Sequence, residues 1–329
     1  MIFGVGFFAL GLALAVSIKS LAETSKNNDN KKGNETFYLS EAAMREGYYQ
    51  YKNNPSPDSY SPTPEPFPDS NASVEILINN DWPYKEIIGI AERNAAHGET
   101  SHRENVYKIV SGGAAFNCAA YSSYVINLNG NAQIIGNVYA GDEINDPRGN
   151  ISGGSKLTSS DVIIPAPIID IDPYISESPM AYTASQAGNG IEDGTINNSV
   201  VYVNDTHETK INGGPHSINF TGSLVTVGDL RLNSGTFTAL GEHVAIYVEG
   251  DLYLEGGVEI NGIVYVKGNT KITGNGNKIT GSLISVGAIE TTDLLGTITI
   301  DFDENLSEVW SDLTGLNTTS PVIDSWEER

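Results

Sequence analysis

The chain is poor in cysteine, in basic residues and in long apolar runs, and each shortage removes a class of function. One cysteine, Cys118, stands in 329 residues, so no intrachain disulfide can form and a zinc site built on paired cysteines is excluded. Cys118 sits in the small-residue stretch 116–120 and reads as a buried small hydrophobe. Lys and Arg number 18 against 41 Asp and Glu, a net charge of −23. That sign argues against nucleic acid and anionic membrane surfaces as partners, and it suits the solubility of a large secreted domain. Motifs of nucleotide and hydrolase chemistry are missing: there is no P-loop, no GxSxG and no dinucleotide phrase with its ribose acid. Neither an EF-hand loop nor a GGxGxD array is present. No catalytic, cofactor-binding or metal-ligating set emerges, and the chain reads as something other than an enzyme.

What is abundant is Gly (35 residues) and Tyr (16), with Asn, Thr and Val, the composition of a β-rich extracellular protein. The only long apolar run is 1–18, MIFGVGFFALGLALAVSI. As a helix it spans about 27 Å, close to a bilayer core of about 30 Å. A cleaved secretory signal with Ser20-Leu21-Ala22 at its end would need a basic residue before the run, and none is there. A retained membrane helix is the expectation. After the polar stretch 23–35, apolar residues Phe37, Leu39, Ala42, Ala43, Tyr48 and Tyr51 fall near a 3.6-residue period and predict a helix over 36–52.

The two phrases ALAVSIKSLAE (13–23) and FYLSEAAMRE (37–46) together resemble the N-terminal region of type IV minor pilins of the PilX type. That resemblance covers about the first fifty residues. It implies a long helix held in the membrane before assembly and then buried among other pilin-like subunits. Pilin precursors carry a basic leader ending in Gly, with Glu at the fifth mature position. Here Gly6-Phe7 is the candidate junction, no Lys or Arg precedes it and Gly11 replaces the acid. The expectation is that the leader lies upstream of Met1.

Residues 53–71 carry Pro55, Pro57, Pro62, Pro64, Pro66 and Pro68, a spacing that forbids helix and predicts an extended stalk or linker. Strands are expected at 74–78, 84–92 and 105–110, a small β-region over 72–112. His97 and His102 there, with Glu99 and Glu104, read as a solvated polar loop rather than a metal site.

The C-terminal half repeats. Phrases around Gly228, Gly250, Gly268 and Gly287 each carry apolar residues two apart before the glycine and a second apolar pair after it. The glycines are 22, 18 and 19 residues apart. Fragments at Val138-Tyr139-Ala140-Gly141 and Val201-Tyr202-Val203 match too. Units this short cannot bury a face alone and must stack. The fold expected is therefore mainly β, a parallel β-solenoid (β-helix) over 113–302 preceded by a long N-terminal helix and the small β-region. Val227, Val248, Val266 and Val286 are expected in one column, each glycine at a corner where a Cβ would clash or need positive φ. Asn-Gly pairs at 129, 212, 261 and 275 supply further corners. An insertion at about 145–199 breaks the phasing, and 303–329 reads as a C-terminal cap with Leu306, Val309, Trp310 and Leu313 on a helix. The repeat resembles bactofilin-like, polymer-forming β-helix modules.

Candidate carboxylates are Asp142, Asp146, Asp170, Asp172, Asp205 and Asp251, with Asp229 and Asp251 expected about one rung apart, roughly 5 Å. Asp301, Asp303 and Glu304 could hold calcium, and exposed Tyr and Asn on the rungs could bind glycans. Three readings follow. The first is a membrane-inserted, surface-exposed minor pilin-like protein displaying a β-solenoid head, with other pilin-like subunits, membrane assembly machinery and surface glycans as partners. The second is a carbohydrate-active β-helix enzyme anchored at the cell surface. The third is a bactofilin-like scaffold that polymerises end to end, which a C-terminal cap would block.

Overall fold

The computed structural model describes residues 33–53, 59–60, 72–94, 100–110, 112–213, 218–291, 297–303, 316–317 and 322–328. The apolar run 1–18, most of the proline-rich stretch, His97, and the apolar residues proposed for a terminal helix lie outside them. The chain forms two units, 1–109 with 323–329, and 110–322.

In the first unit, helix α1 (33–53) buries Thr36, Ser40, Ala43, Met44, Gly47 and Tyr51. Those positions follow the helical period, but the stripe consists mostly of small residues rather than the larger apolar set expected. The reason is close approach to the sheet. A Cβ on Gly89 would stand 2.2 Å from the Ser40 carbonyl oxygen, and one on Gly47 would stand 2.5 Å from Ile76. Asn105 fixes the contact by donating from Nδ2 to Ser40 Oγ at 2.5 Å. The sheet is an antiparallel meander of Ala72–Asp81, Tyr84–Asn94 and Thr100–Val110. Ser59–Tyr60 pairs with Leu77 and Ile76 at one edge, so the proline-rich stretch is tied down at that point. Val322–Glu328 lies beside Thr100–Val110 at the other edge. The chain's end therefore supplies a strand to this sheet, where a solenoid cap was expected.

The second unit is a parallel β-solenoid of about 8 turns, with 19 strands among the described residues in three stacks. The first stack holds the V-Y-V phrases, the second the L-x-L phrases after each glycine, and the third the strands after the second corner. Inward positions alternate along each strand. In the first stack they are Leu224 and Thr226, Ile246 and Val248, Val264 and Val266, then Leu283 and Ser285. The register keeps the repeat glycines level and so displaces two of the expected valines. Thr226 pairs with Val248 and Ser285 with Val266, while Val227 and Val286 are only half-buried just before the corner. The inward hydroxyls are satisfied by corner carbonyls: Ser285 Oγ donates to Gly268 O at 2.9 Å and Thr226 Oγ1 to Gly228 O at 3.2 Å.

The corner glycines are needed for space. A Cβ on Gly228, Gly250, Gly268 or Gly287 would lie 2.3 to 2.5 Å from an atom of the preceding turn, and at Gly268 and Gly287 a carbonyl oxygen is among the atoms met. None of these four has a positive φ; the Asn-Gly corners at Gly130, Gly262 and Gly276 do.

Stacking order departs from chain order. Strands Ala120–Ser122, Ile126–Leu128 and Gln133–Ile135 pair with Leu283–Ser285, Ile289–Thr291 and Thr299–Asp301. The first coils of the chain thus sit on the last. The position beyond Ile298–Asp301 is occupied by Gln133–Ile135. The solenoid also runs further than expected before its interruption, since Ile151–Ser152 and Lys156–Thr158 still pair with the turn before them. From Thr158 the chain crosses back to Ala181–Tyr182, which pairs with Tyr202–Val203 at the opposite end. Eight rung steps separate Leu157 from Ala181 in the first stack, about 38 Å at roughly 4.8 Å each. Helix α2 (Asp172–Glu177) lies on this crossing and helix α3 (Ala184–Glu192) follows it.

Replacing Gly268 by Ala forces a methyl group against the Gly250 backbone. The expected loss is about 1–3 kcal/mol, read as a lowered midpoint in chemical denaturation; an unchanged midpoint would mean the turns are not this close.

Candidate functional site

The crossing segment 159–180 covers a column of outward side chains on the first stack. Tyr247 stacks on Tyr265 with centroids 5.3 Å apart and planes at 15°, and Tyr121 on Tyr139 at 5.2 Å and 15°. These rings are buried, and the hydroxyls of Tyr265, Tyr121 and Tyr139 hold the crossing strap. Tyr265 Oη donates to Pro167 O at 2.7 Å, Tyr121 Oη donates to Ile164 O at 3.0 Å, and the Ile164 N–H donates to Tyr139 Oη at 3.2 Å. Further along, the Val244 N–H donates to Tyr174 Oη at 3.3 Å, and Glu177 meets His243 Nε2 at 2.9 Å. Tyr121, Tyr139 and Tyr265 are therefore engaged by the chain itself.

The paired carboxylates are also in structural use. Asp229 Oδ1 accepts the Asp251 N–H at 2.8 Å, Asp251 Oδ1 accepts the Asn269 N–H at 2.8 Å, and Asn269 Oδ1 accepts the Ala288 N–H at 2.9 Å. They form a ladder along the glycine corner, each side chain tying its turn to the next. Asp146 accepts the Asn150 N–H at 2.7 Å and pairs with Lys156 Nζ at 2.7 Å; burial pushes its carboxyl up, but the hydrogen bonds from Lys156, Asn150 and Ile151 with the Lys156 charge together outweigh it and hold the carboxyl below the usual range. Asp142, Asp170 and Asp172 are exposed, and Asp170 Oδ1 accepts the Asp172 N–H. Asp142 and Asp146 belong to one end of the stack and Asp205 to the other, so the six candidates do not converge.

At the first turn, α3 packs beside Thr209–Asn212 and leaves a polar groove of about 420 Å³ lined by Ser185, Asn189, Asp205, His207, Glu208 and Lys210, among others. The helix seats closely because residue 188 is glycine: a Cβ there would stand 2.4 Å from Lys210 O. Thr183 and Gln186 form a capping box at its start. Asp205 accepts N–H groups from His207 and Ala184 at 3.0 Å each and meets His207 Nδ1 at 2.7 Å. The His207 backbone N–H and then that of Ala184 lower its pKa to about 2, so it stays ionised. The groove offers fixed donors and acceptors to a polar ligand. His207, Glu208 and Lys210 were not singled out in the sequence; their only signal is a polar run after a repeat strand, which any surface corner shares.

Beside the groove, Arg231 pairs with Glu208 at 2.7 Å and with Glu255, and lies 4.4 Å from the Tyr253 ring centroid. In the first unit His102 is clamped by Glu92 and Glu104, each at 3.0 Å, and the hydrogen bond from Glu104, then that from Glu92, raises its pKa. Cys118 is buried, its Sγ 3.7 Å from Ala114 O. Asp301 sits in a rung strand, and Glu304 lies outside the described residues. Among the described residues no group of three His, Cys, Asp or Glu side chains could hold a metal ion.

A family described as "Domain of unknown function (DUF8470)" matches residues 221–293, the span that carries the four glycine phrases. No curated protein matches the chain. Among solved structures, the competence-associated pilin ComZ from Thermus thermophilus aligns over 90% of this chain and 97% of its own, at 10% identity and a TM-score of 0.28.

Burial holds the Tyr265 and Tyr174 hydroxyls up to about 12, against about 10 in an unfolded chain. Folding is then favoured fully below pH 10, and stability falls as the pH rises from about 10 to about 12, because only the unfolded state ionises in that window. Alkaline titration followed by tyrosinate absorbance and circular dichroism should show the buried tyrosines ionising together with loss of structure. Ionisation at ordinary tyrosine pH with the fold intact would show the strap does not cover them.

Proposed function

We infer that the chain is a surface-exposed structural protein of pilin-like type, anchored by its N-terminal apolar segment and displaying the β-solenoid as its outer domain. One observation carries this reading: the FYLSEAAMRE phrase lies on α1, whose small-residue stripe seats it on an antiparallel sheet, after a 1–18 run without a charged residue. Among the described residues no helix is long and apolar enough to cross a membrane, so the anchor in this reading is the N-terminal run. Other pilin-like subunits would pack on that helix, and the acidic solenoid would face outward, kept soluble by its charge.

End-to-end polymerisation of the bactofilin-like kind is disfavoured by both solenoid ends. At one, α3 replaces a rung over Thr209–Asn212, with Ala187 and Ile191 in the core and Glu192 accepting the Asn212 N–H. At the other, Lys156 takes the register position of Val138 and reaches Asp146, a charged pair that a stacked copy would have to desolvate.

Deleting 1–32 in the native cell should release the protein from the membrane fraction and remove it from surface filaments seen by immunogold labelling, while leaving the solenoid folded. Retention of the truncated protein on intact filaments would refute the reading.

A further inference from the structure

The joint between the first and last coils differs from every other rung contact in one respect. Consecutive turns elsewhere follow one another in the chain; here the coils of 119–158 sit on the last coils, and the strap 159–180 is the covalent link from them to the later coils. The joint itself is ordinary rung pairing in the three stacks. It is locked by the Ser282 hydroxyl on Cys118 O at 2.6 Å and by the Ser122 hydroxyl on Gly287 O at 2.8 Å. A surface that receives these coils from its own chain is equally complementary to the same coils of another.

The strap's anchoring divides at Pro165-Ala166. Ile164 is held by Tyr121 and Tyr139, which travel with the first coils. Pro167 is held by Tyr265 and Tyr174 binds the Val244 N–H, both on the later coils. A rotation about that dipeptide would carry the block away with its half of the strap still bound, and proline there keeps the connector extended.

We propose that this joint is an exchange site for a second copy of the chain: the 119–158 coils of one molecule seat on the Leu283–Asp301 edge of another, giving domain-swapped dimers or, since the contact is head-to-tail, open chains. The proposal rests on the stacking order alone and stands or falls independently of the pilin-like reading. Exchange occurs while chains fold, because releasing a seated block breaks the three strand pairings of the joint, and the block's N-terminal continuation also exchanges its Val322–Glu328 neighbour for that of the other copy.

Asn127 and Glu290 are register partners across the joint, both half-buried, and at about 4.8 Å their Cα atoms are within disulfide reach. Two full-length chains, each with Cys118→Ala, are co-expressed, one carrying Asn127→Cys and the other Glu290→Cys. After oxidation, a disulfide-linked heterodimer should exceed either homodimer several-fold, and mixing the two proteins after folding should give little of it. The chain carrying both substitutions should close its disulfide internally as well. Three results would overturn the proposal: no heterodimer while the double variant closes internally, equal heterodimer from proteins mixed after folding, or failure of the double variant to form the bond in either setting.

Discussion

Backbone stacked on backbone at the glycine corner is the contact on which the solenoid depends. With a carbonyl oxygen of the preceding turn 2.4 to 2.5 Å from where a Cβ would be at Gly268 and Gly287, the turns are locked at the spacing that lets the parallel hydrogen bonds form. Three other features follow from that spacing. The inward hydroxyls of Thr226 and Ser285 reach the corner carbonyls. The Asp229–Asp251–Asn269 ladder bridges successive N–H groups. The outward tyrosines come within stacking distance of one another.

The same regularity explains why the chain can assemble out of order. Every rung offers its neighbour equivalent hydrogen bonds and an equivalent apolar interior, so the edge of the last coil accepts the first as readily as it would a following one. What distinguishes the joint is the strap that connects across it. The tyrosine column gives that strap a fixed course, supplying hydroxyl donors and acceptors to a proline-bearing segment that has few backbone partners of its own. Burying those hydroxyls without partners would be costly; with the strap in place they are satisfied. The interruption in the repeat is thus a structural member of the solenoid.

Much of this was legible in the sequence and some of it could not be. The solenoid, the N-terminal helix and the small β-region followed from the glycine spacing, the 3.6-residue pattern and the strand alternation. The column of valines was misread by one position at Val227 and Val286 because the glycine, not the valine, sets the register, and Thr and Ser take the inward place. Stacking order was invisible, since a degenerate repeat carries no information about which copy lies beside which. The tyrosines looked like ordinary exposed strand residues because their cover comes from far along the chain. Asp229 and Asp251 were placed at neighbouring corners by the repeat, yet a repeat pattern does not reveal that each binds the next turn's N–H. The groove at α3 escaped notice because a packed helix, not a motif, creates it.

The permuted order of turns is the claim from which the strap, the joint and the covered tyrosine column all derive. Spin labels at Asn145 and Lys210, both exposed and on the outward line of the second stack, measure it directly by electron–electron distance. Six rung steps separate them, so the distance should centre near 29 Å at about 4.8 Å per step. If the turns were instead piled in chain order, the labels would stand about three steps apart, near 14 Å, and the account would be contradicted.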